Sequence, residues 1–403
     1  MEKNRKKRVY RCNYKLRKFM FLTIIIFILI LSVLVLVHEL GHFFVAKNRG
    51  IKVEEFGFGF PPRVFSIKRG ETVYSLNAIP IGGFVKMYGE DGGNESKVES
   101  SSSYQVESVS LQEISRGEKT DRAIFSKKIW ERAVVIVAGV TMNVILAAFL
   151  LSIGHWLGLP AILDDNNRHL AENSMVQIMA VAPNSPASEA GIKMGDSIKK
   201  IKIVNSEFKN ALTVEGVQEF ILDHKGEEII IDLGRGDDNM EVIVVPRVNP
   251  PEGEGAIGIA MGEVGFIRYS WYVSVWKGFE SVYFMFIMMI TAFGGIIKSL
   301  FVGKPIGGDI AGPVGIVMLV DQVSKLGAVY VLQFAAIISV NLALINILPF
   351  PALDGGRLLF LIIEKIKGSP VNQNIEGLIH RIGFTLLIVL MVFITFRDVV
   401  KLF

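Results

Sequence analysis

Five long stretches of this chain carry almost no charge, and that feature limits its fold more than any other. Residues 20–37, 281–297, 328–353 and 382–396 contain no Asp, Glu, Lys, Arg or His, and 133–156 contains only His155. Roughly 20 consecutive apolar residues suffice to cross a bilayer. The chain has 403 residues, 51% of them hydrophobic, and the apolar residues are clustered. Between the clusters lie polar stretches long enough for a folded domain. The pattern predicts a polytopic α-helical membrane protein with about four transmembrane helices and one extramembrane module.

The net charge of +4 does not point to nucleic acid. Many basic residues flank the apolar runs: Lys47, Arg49 and Lys52 after the first, Lys127, Lys128 and Arg132 before the second. Charge collects in this way at a cytoplasmic membrane face. No phosphate loop, repeat array or nucleic-acid motif occurs, so the expected surroundings are the lipid bilayer and protein partners. The single cysteine, Cys12, permits no intrachain disulfide. Residues 1–19 hold nine Lys or Arg and, with the apolar run behind them, resemble the start of a signal peptide. No small-residue cleavage site follows, so cleavage is not expected. This basic leader leaves both Met1 and Met20 open as the natural start.

Along the chain, residues 20–157 read as the first two transmembrane helices with the material between them. Short apolar segments from Val73 to Lys86, broken by Pro80 and Gly82-Gly83, read as strands and turns. Residues 90–120 are polar and aperiodic and read as a loop. Residues 164–248 have the pattern of an α+β module, with β-rich runs near 198–204, 228–233 and 241–245 and a helical run near 214–223. The Pro- and Gly-rich residues 249–270 read as a linker. Residues 271–301 form an apolar, membrane-associated helix whose course (crossing, interfacial or re-entrant) stays open. Residues 329–403 carry the C-terminal transmembrane helices.

The chemistry begins at the end of the first apolar run, with His38-Glu39-Leu40-Gly41-His42. On a helix, positions i and i+4 project from one face, so His38 and His42 can bind one Zn²⁺ through ring nitrogens. Zinc acidifies a water in its open position, and Glu39 beside the first ligand can take that proton as general base. Short H-E-x-x-H matches also arise by chance. Three ionisable residues at the end of an uncharged membrane run argue against chance, because burial there is costly and marks function. A catalytic zinc needs a third protein ligand. Asp354, in Leu353-Asp354-Gly355-Gly356 after Pro349 and Pro351, is the candidate; read alone, Asp-Gly-Gly is a turn sequence. Asn341 and Asn346 lie in the preceding apolar run, either as helix–helix hydrogen-bonding groups or, for Asn346, as a contact to substrate.

These motifs together resemble the site-2 protease family, and in particular its bacterial RseP/RasP-type branch of zinc proteases within peptidase family M50. The resemblance rests on His38 to His42, on Asn341 to Asn346 with Pro349, Pro351 and Leu353 to Gly356, and on the stretch from Asn77 to Glu90. It implies an intramembrane zinc endopeptidase taking part in regulated intramembrane proteolysis. His38, His42 and Asp354 would hold zinc, Glu39 would be the catalytic base, and Asn346, Gly82, Gly83 and Phe84 would contact substrate. The strands near 73–86 would form a membrane-associated β-hairpin loop that holds an unwound substrate by edge-strand addition. The resemblance further implies single-pass, pre-trimmed substrates such as anti-sigma factors or signal-peptide remnants. It places the site toward the cytoplasmic side of the cell membrane. Lys127, Lys128, Lys365, Lys367 and Arg381 agree with that orientation, while the basic leader opposes it.

Val181 to Ala187 followed by Ala190-Gly191-Ile192-Lys193-Met194-Gly195-Asp196-Ser197-Ile198 resembles a PDZ domain of the bacterial protease type. One such domain fits the space, and the resemblance implies an extracytoplasmic location. Two other functions remain in view. A membrane-anchored zinc peptidase acting on soluble or unfolded chains would share H-E-x-x-H but usually takes a later Glu as third ligand. A non-catalytic PDZ scaffold would have no need of Glu39. Neither the oligomeric state nor the individual substrate is legible here.

Overall fold

The computed structural model describes residues 2–90, 120–164, 167–204, 206–211, 213–236, 238–251, 253–302 and 312–400. Most of the loop expected at 90–120 lies outside them. Five helices are long and apolar enough to cross a membrane, spanning Leu22–Asn48, Ile129–Leu157, Trp271–Ile296, Ala328–Ile347 and Asn374–Val400. The third is the segment whose course the sequence left open. The chain divides into two compact units, one of residues 1–148, 282–317 and 335–403, the other of 149–281 and 318–334.

In the first unit, helix α1 (Glu2–Asn48) is followed by two long strands, β1 (Val53–Arg69) and β2 (Thr72–Met87). The residues expected as strands, Val73 to Lys86, lie in β2, while β1 carries the alternating Phe56-Gly57-Phe58-Gly59-Phe60 ahead of Pro61 and Pro62. Both strands bend, so β1 is flanked by two parts of β2. Phe56 lies opposite both Val85 and Tyr74, Gly57 opposite Phe84 and Ser75, and Phe58 opposite Gly83 and Leu76. The far part of β1 pairs with the near part of β2 down to Arg69 opposite Thr72. Residues 83–87 are therefore an outer strand of this small sheet. The sheet is fastened to α1 by the Ser32 hydroxyl, which donates to the Pro80 carbonyl at 2.6 Å. A buried apolar cluster of Phe43, Ala46, Ile51, Val53, Val85 and Met87 continues the contact. At the turn, Arg122 donates to Glu71 at 2.8 Å, and this guanidinium holds the Glu71 carboxyl below its usual value.

Helix α2 (Ile129–Leu157) begins in the first unit. The second unit is built on a seven-stranded sheet of β3 (Leu159–Ile162), β4 (Ala171–Val181), β5 (Ser197–Ile203), β6 (Lys209–Asn210), β7 (Ile229–Arg235), β8 (Asp238–Val244) and β9 (Ile259–Ile267). The order is β3-β9-β4-β5-β7-β8, with β6 added beside β5. A short helix α3 (Pro186–Glu189) and the amphipathic α4 (Val214–Asp223) cover it. Val217, Phe220 and Ile221 of α4 meet Ile178, Ile198, Ile229 and Ile231 of the sheet in one core. The Thr213 hydroxyl caps α4 by accepting from the Gly216 N–H.

One expectation is corrected. Residues 249–270 are not simply a linker, because 259–267 form β9, which pairs with both β3 and β4. One of its glycines has a packing cause: a Cβ on Gly265 would stand 2.7 Å from the Ala171 Cβ and 3.1 Å from Leu163. Gly265 lets β9 lie close against its neighbours.

Asp196 of the Gly-Asp turn is almost fully buried. Arg235 grips it with both ends of the guanidinium, at 2.6 and 2.7 Å, and the Lys193 N–H adds a third bond at 2.8 Å. Asp196→Ala leaves a charge without its partner. We expect a loss of about 2–3 kcal/mol, below the range for fully buried pairs because Arg235 can turn to water. Amide hydrogen exchange in β5 and β7 of the detergent-solubilised chain should accelerate roughly 30-fold or more; unchanged protection would refute the assignment.

Candidate metal centre

The remaining helices are α5 (Trp271–Val302), α6 (Pro313–Leu326), α7 (Ala328–Ile347), α8 (Asp354–Lys367) and α9 (Gln373–Val400). The centre is assembled from α1 and α8 and supported by α9 and by the parts of α2 and α7 that belong to the first unit. His38 and His42 sit one turn apart on α1, both buried. Their rings meet edge to face with centroids 4.8 Å apart, and their Nε2 atoms lie 3.2 Å apart. Asp354 Oδ2 stands 3.1 Å from one Nε2 and 3.3 Å from the other.

Three lone-pair atoms thus converge on one point. Asp354 Oδ2 is buried and, among the described residues, has no partner of full hydrogen-bond geometry. A tetrahedral zinc with bonds of about 2.0–2.1 Å keeps its ligand atoms about 3.3 Å apart, and the observed separations lie close to that. Among the described residues, His38, His42 and Asp354 form the group able to hold a metal ion.

The histidines reach this point because glycines let α1 and α2 approach closely at two positions. A Cβ on Gly41 would lie 2.4 Å from the Ala138 carbonyl oxygen. A Cβ on Gly139 would lie 2.3 Å from His42 Nε2 and 2.7 Å from His38 Cε1. Small residues permit such close helix approach in a membrane. With Nε2 facing the centre, each neutral ring carries its proton on Nδ1 and needs an acceptor. His42 Nδ1 lies 2.8 Å from the Val135 carbonyl on α2. His38 Nδ1 lies 3.2 Å from the side-chain amide of Asn143, which is fully buried and whose Oδ1 has no hydrogen-bond partner among the described residues. Turning that amide over pairs its oxygen with the His38 Nδ1–H and satisfies both groups. Ser339 of α7 donates to the Asn143 carbonyl at 2.8 Å, holding this part of α2 in place.

Asp354 is the first residue of α8 rather than part of a free turn. After α7 ends, the chain makes a tight turn in which Phe350 N–H donates to Leu348 and Leu353 N–H to Phe350. The two glycines after Asp354 let α8 press onto that turn. A Cβ on Gly355 would stand 2.1 Å from the Leu348 carbonyl oxygen, and one on Gly356 2.3 Å from that of Phe350. Two ion pairs anchor the helix: Arg132 of α2 to both oxygens of Glu364 at 3.1 and 3.0 Å, and Arg357 to Glu90 at 2.5 Å.

The other expected residues are placed as follows. Gly83 comes against Glu39, since a Cβ there would lie 3.3 Å from Glu39 Cγ and 3.1 Å from the Gly57 carbonyl oxygen. Gly82 has φ 107° and faces the Phe60 ring. The Phe84 ring occupies the space over Gly57, within 2.3 Å of where a Cβ would be, so it fastens the sheet. Asn346 is half-buried in the last turn of α7 and lies outside the three-atom cluster. The sequence reading passed over Gly41, Gly139 and Asn143. A signal was available, because Asn143 is the one amide in the run 133–156, and buried amides require partners.

The His-His-Asp cluster, with Glu39 one residue from its first member, joins a helix of membrane-crossing length to the start of the shorter α8, as a metalloenzyme built into a membrane would require. The chain belongs to peptidase family M50, whose model matches residues 26–390. It is 32% identical to the regulator of sigma-W protease RasP of Bacillus subtilis (strain 168), over 94% of this chain and 99% of that one. It is also 32% identical to the zinc metalloprotease RasP of Shouchella clausii (strain KSM-K16), again over 94% and 99%. Among solved structures it is similar to the PDZ domain of an SdrC-like protein from Listeria monocytogenes. That match is 22% identical with a TM-score of 0.19, covering 22% of this chain and 90% of that one; at that level it carries no argument. The protein is a zinc metalloprotease of family M50.

Asn143→Leu removes the acceptor for His38 Nδ1 while keeping the side chain's volume. We expect the affinity for zinc to fall about 10- to 100-fold. Competition with a chelator at fixed pH measures it, and wild-type retention would show that Asn143 does not orient the ligand.

Proposed function

We propose that this metalloprotease cuts membrane-spanning segments of other membrane proteins, within or beside the bilayer. The observation that carries the proposal is the His38–His42–Asp354 cluster, with Glu39 beside it lying against Gly83 of the outer strand. His38, His42 and Asp354 would hold the zinc ion. Zinc, when bound, supplies Lewis acidity toward a carbonyl oxygen and toward water. Glu39 takes one proton of the attacking water as general base. The hydroxyl oxygen bonds to the scissile carbonyl carbon, the C–N bond breaks, and Glu39 returns the proton to the leaving amine nitrogen.

A helix keeps its peptide carbonyls in internal hydrogen bonds, so a transmembrane substrate must be extended before attack. The outer strand at 83–87 offers free backbone groups for that purpose by strand addition. Gly83, without a side chain, lets such a strand lie close to Glu39. Gly82 and Phe84 shape and fasten that strand, and Asn346 is placed at the helix end to bind the substrate backbone. The class of substrate we infer is a single-pass protein already trimmed outside the membrane, such as an anti-sigma factor or a signal-peptide remnant. Its similarity to a regulator of sigma-W supports this reading. The sheet module at 159–267 is read as an extracytoplasmic PDZ domain that receives an extended peptide, and the metal centre as facing the cytoplasmic side.

The test compares wild type with Glu39→Gln in detergent, reading zinc content and cleavage of a model transmembrane substrate. Both should carry stoichiometric zinc. Cleavage in Glu39→Gln should fall about 10²- to 10⁴-fold. Normal cleavage by Glu39→Gln would overturn the assigned base. Cleavage by wild type of unfolded soluble chains alone would overturn the substrate class.

A further inference from the structure

The turn that delivers Asp354 contains an unusual residue. Ala352 has φ 76°, in the left-handed region that side chains other than glycine rarely adopt. Its backbone N–H is donated to Nδ1 of His380 at 2.8 Å, from α9. An imidazole that accepts at Nδ1 is neutral and carries its proton on Nε2. That Nε2 is buried without a hydrogen-bond partner among the described residues, and the nearest paired carboxylate, Glu376, stands 3.9 Å away.

The ring is also held in place sterically. Phe360 of α8 packs against it with centroids 5.5 Å apart. Nearly one turn further along α9, a Cβ on Gly383 would stand 2.4 Å from the Pro351 Cβ and 2.7 Å from its carbonyl oxygen. Helix α9 therefore lies flush against Pro351 and Ala352. An apolar residue at 380 would fill the same space. A histidine there, with one nitrogen used on a strained backbone N–H and the other left unpaired, serves the turn rather than the packing.

We propose that His380 is a positioning residue for Asp354. Its Nδ1 holds Ala352 in the left-handed conformation, so that the chain enters α8 with the Asp354 carboxylate directed at His38 and His42. The proposal rests on the reading of Asp354 as a zinc ligand.

The experiment compares wild type, His380→Phe, His380→Asn, Ala352→Gly and the His380→Phe/Ala352→Gly pair as full chains in detergent. Zinc retention against a chelator is read beside kcat and KM on the model substrate. Phe keeps a ring without the acceptor, and we expect at least a tenfold loss of zinc affinity, with kcat falling and KM within twofold of wild type. Asn places an oxygen near the former Nδ1 and should recover most of that loss. Glycine adopts positive φ without help, so Ala352→Gly should restore part of the affinity in the Phe background. Wild-type zinc affinity in His380→Phe would overturn the proposal. So would a tenfold loss in His380→Asn, which remains informative even if the Phe variant does not fold, and so would a paired variant no better than His380→Phe alone. A wild-type chain that binds no zinc would instead overturn the ligand assignment beneath it.

Discussion

The metal centre depends on backbone touching backbone where α1 crosses α2. Gly41 lies directly against the Ala138 carbonyl, and Gly139 leaves room beneath the two imidazoles. No larger residue fits at either place without moving a helix or a ring. The closeness also sets the chemistry of the ligands, because α2 then supplies the acceptors for both Nδ1 atoms, through the Val135 carbonyl and the Asn143 amide. In a membrane interior, where water is scarce, such polar partners must come from the protein itself.

The second half of the centre arrives by a different device. A regular helix through the Pro349–Leu353 region would carry Asp354 along the axis of α7. Two prolines and a left-handed alanine instead break the chain, and the paired glycines let α8 start directly against the broken end. Asp354 then occupies the first turn of α8, where a carboxylate is favoured by the helix dipole. The ion pairs from Arg132 and Arg357 tie α8 to α2 and to the end of β2. The elements that carry the cluster and the outer strand are thereby coupled through side chains as well as through the helix crossing.

Some of this was legible in the residues and some was not. The H-E-x-x-H spacing and the uncharged runs point to a candidate metal site at the end of an apolar helix, because helical periodicity and the cost of buried charge are local properties. Strand β1 escaped notice since its alternating Phe and Gly, ending in two prolines, resemble loop punctuation as much as a bent strand. Strand β9 escaped for a related reason. Its Gly265 is required by Ala171 and Leu163, residues about a hundred positions earlier in the chain. Nothing local distinguishes a glycine that turns from one that packs.

The uncharged runs, the pair of histidines with Glu39 beside them and the candidacy of Asp354 can be read from the residues alone. These follow from composition and from the 3.6-residue turn, which act over a few neighbours. That Asp354 meets the histidines, that Asn143 stands behind His38, that Gly83 lies against Glu39 and that Ala352 donates to His380 appear only in the folded chain. Each of those contacts joins residues at least 28 positions apart. Their distances are set by how closely helices and strands approach, which depends on the whole packed arrangement and not on any one segment.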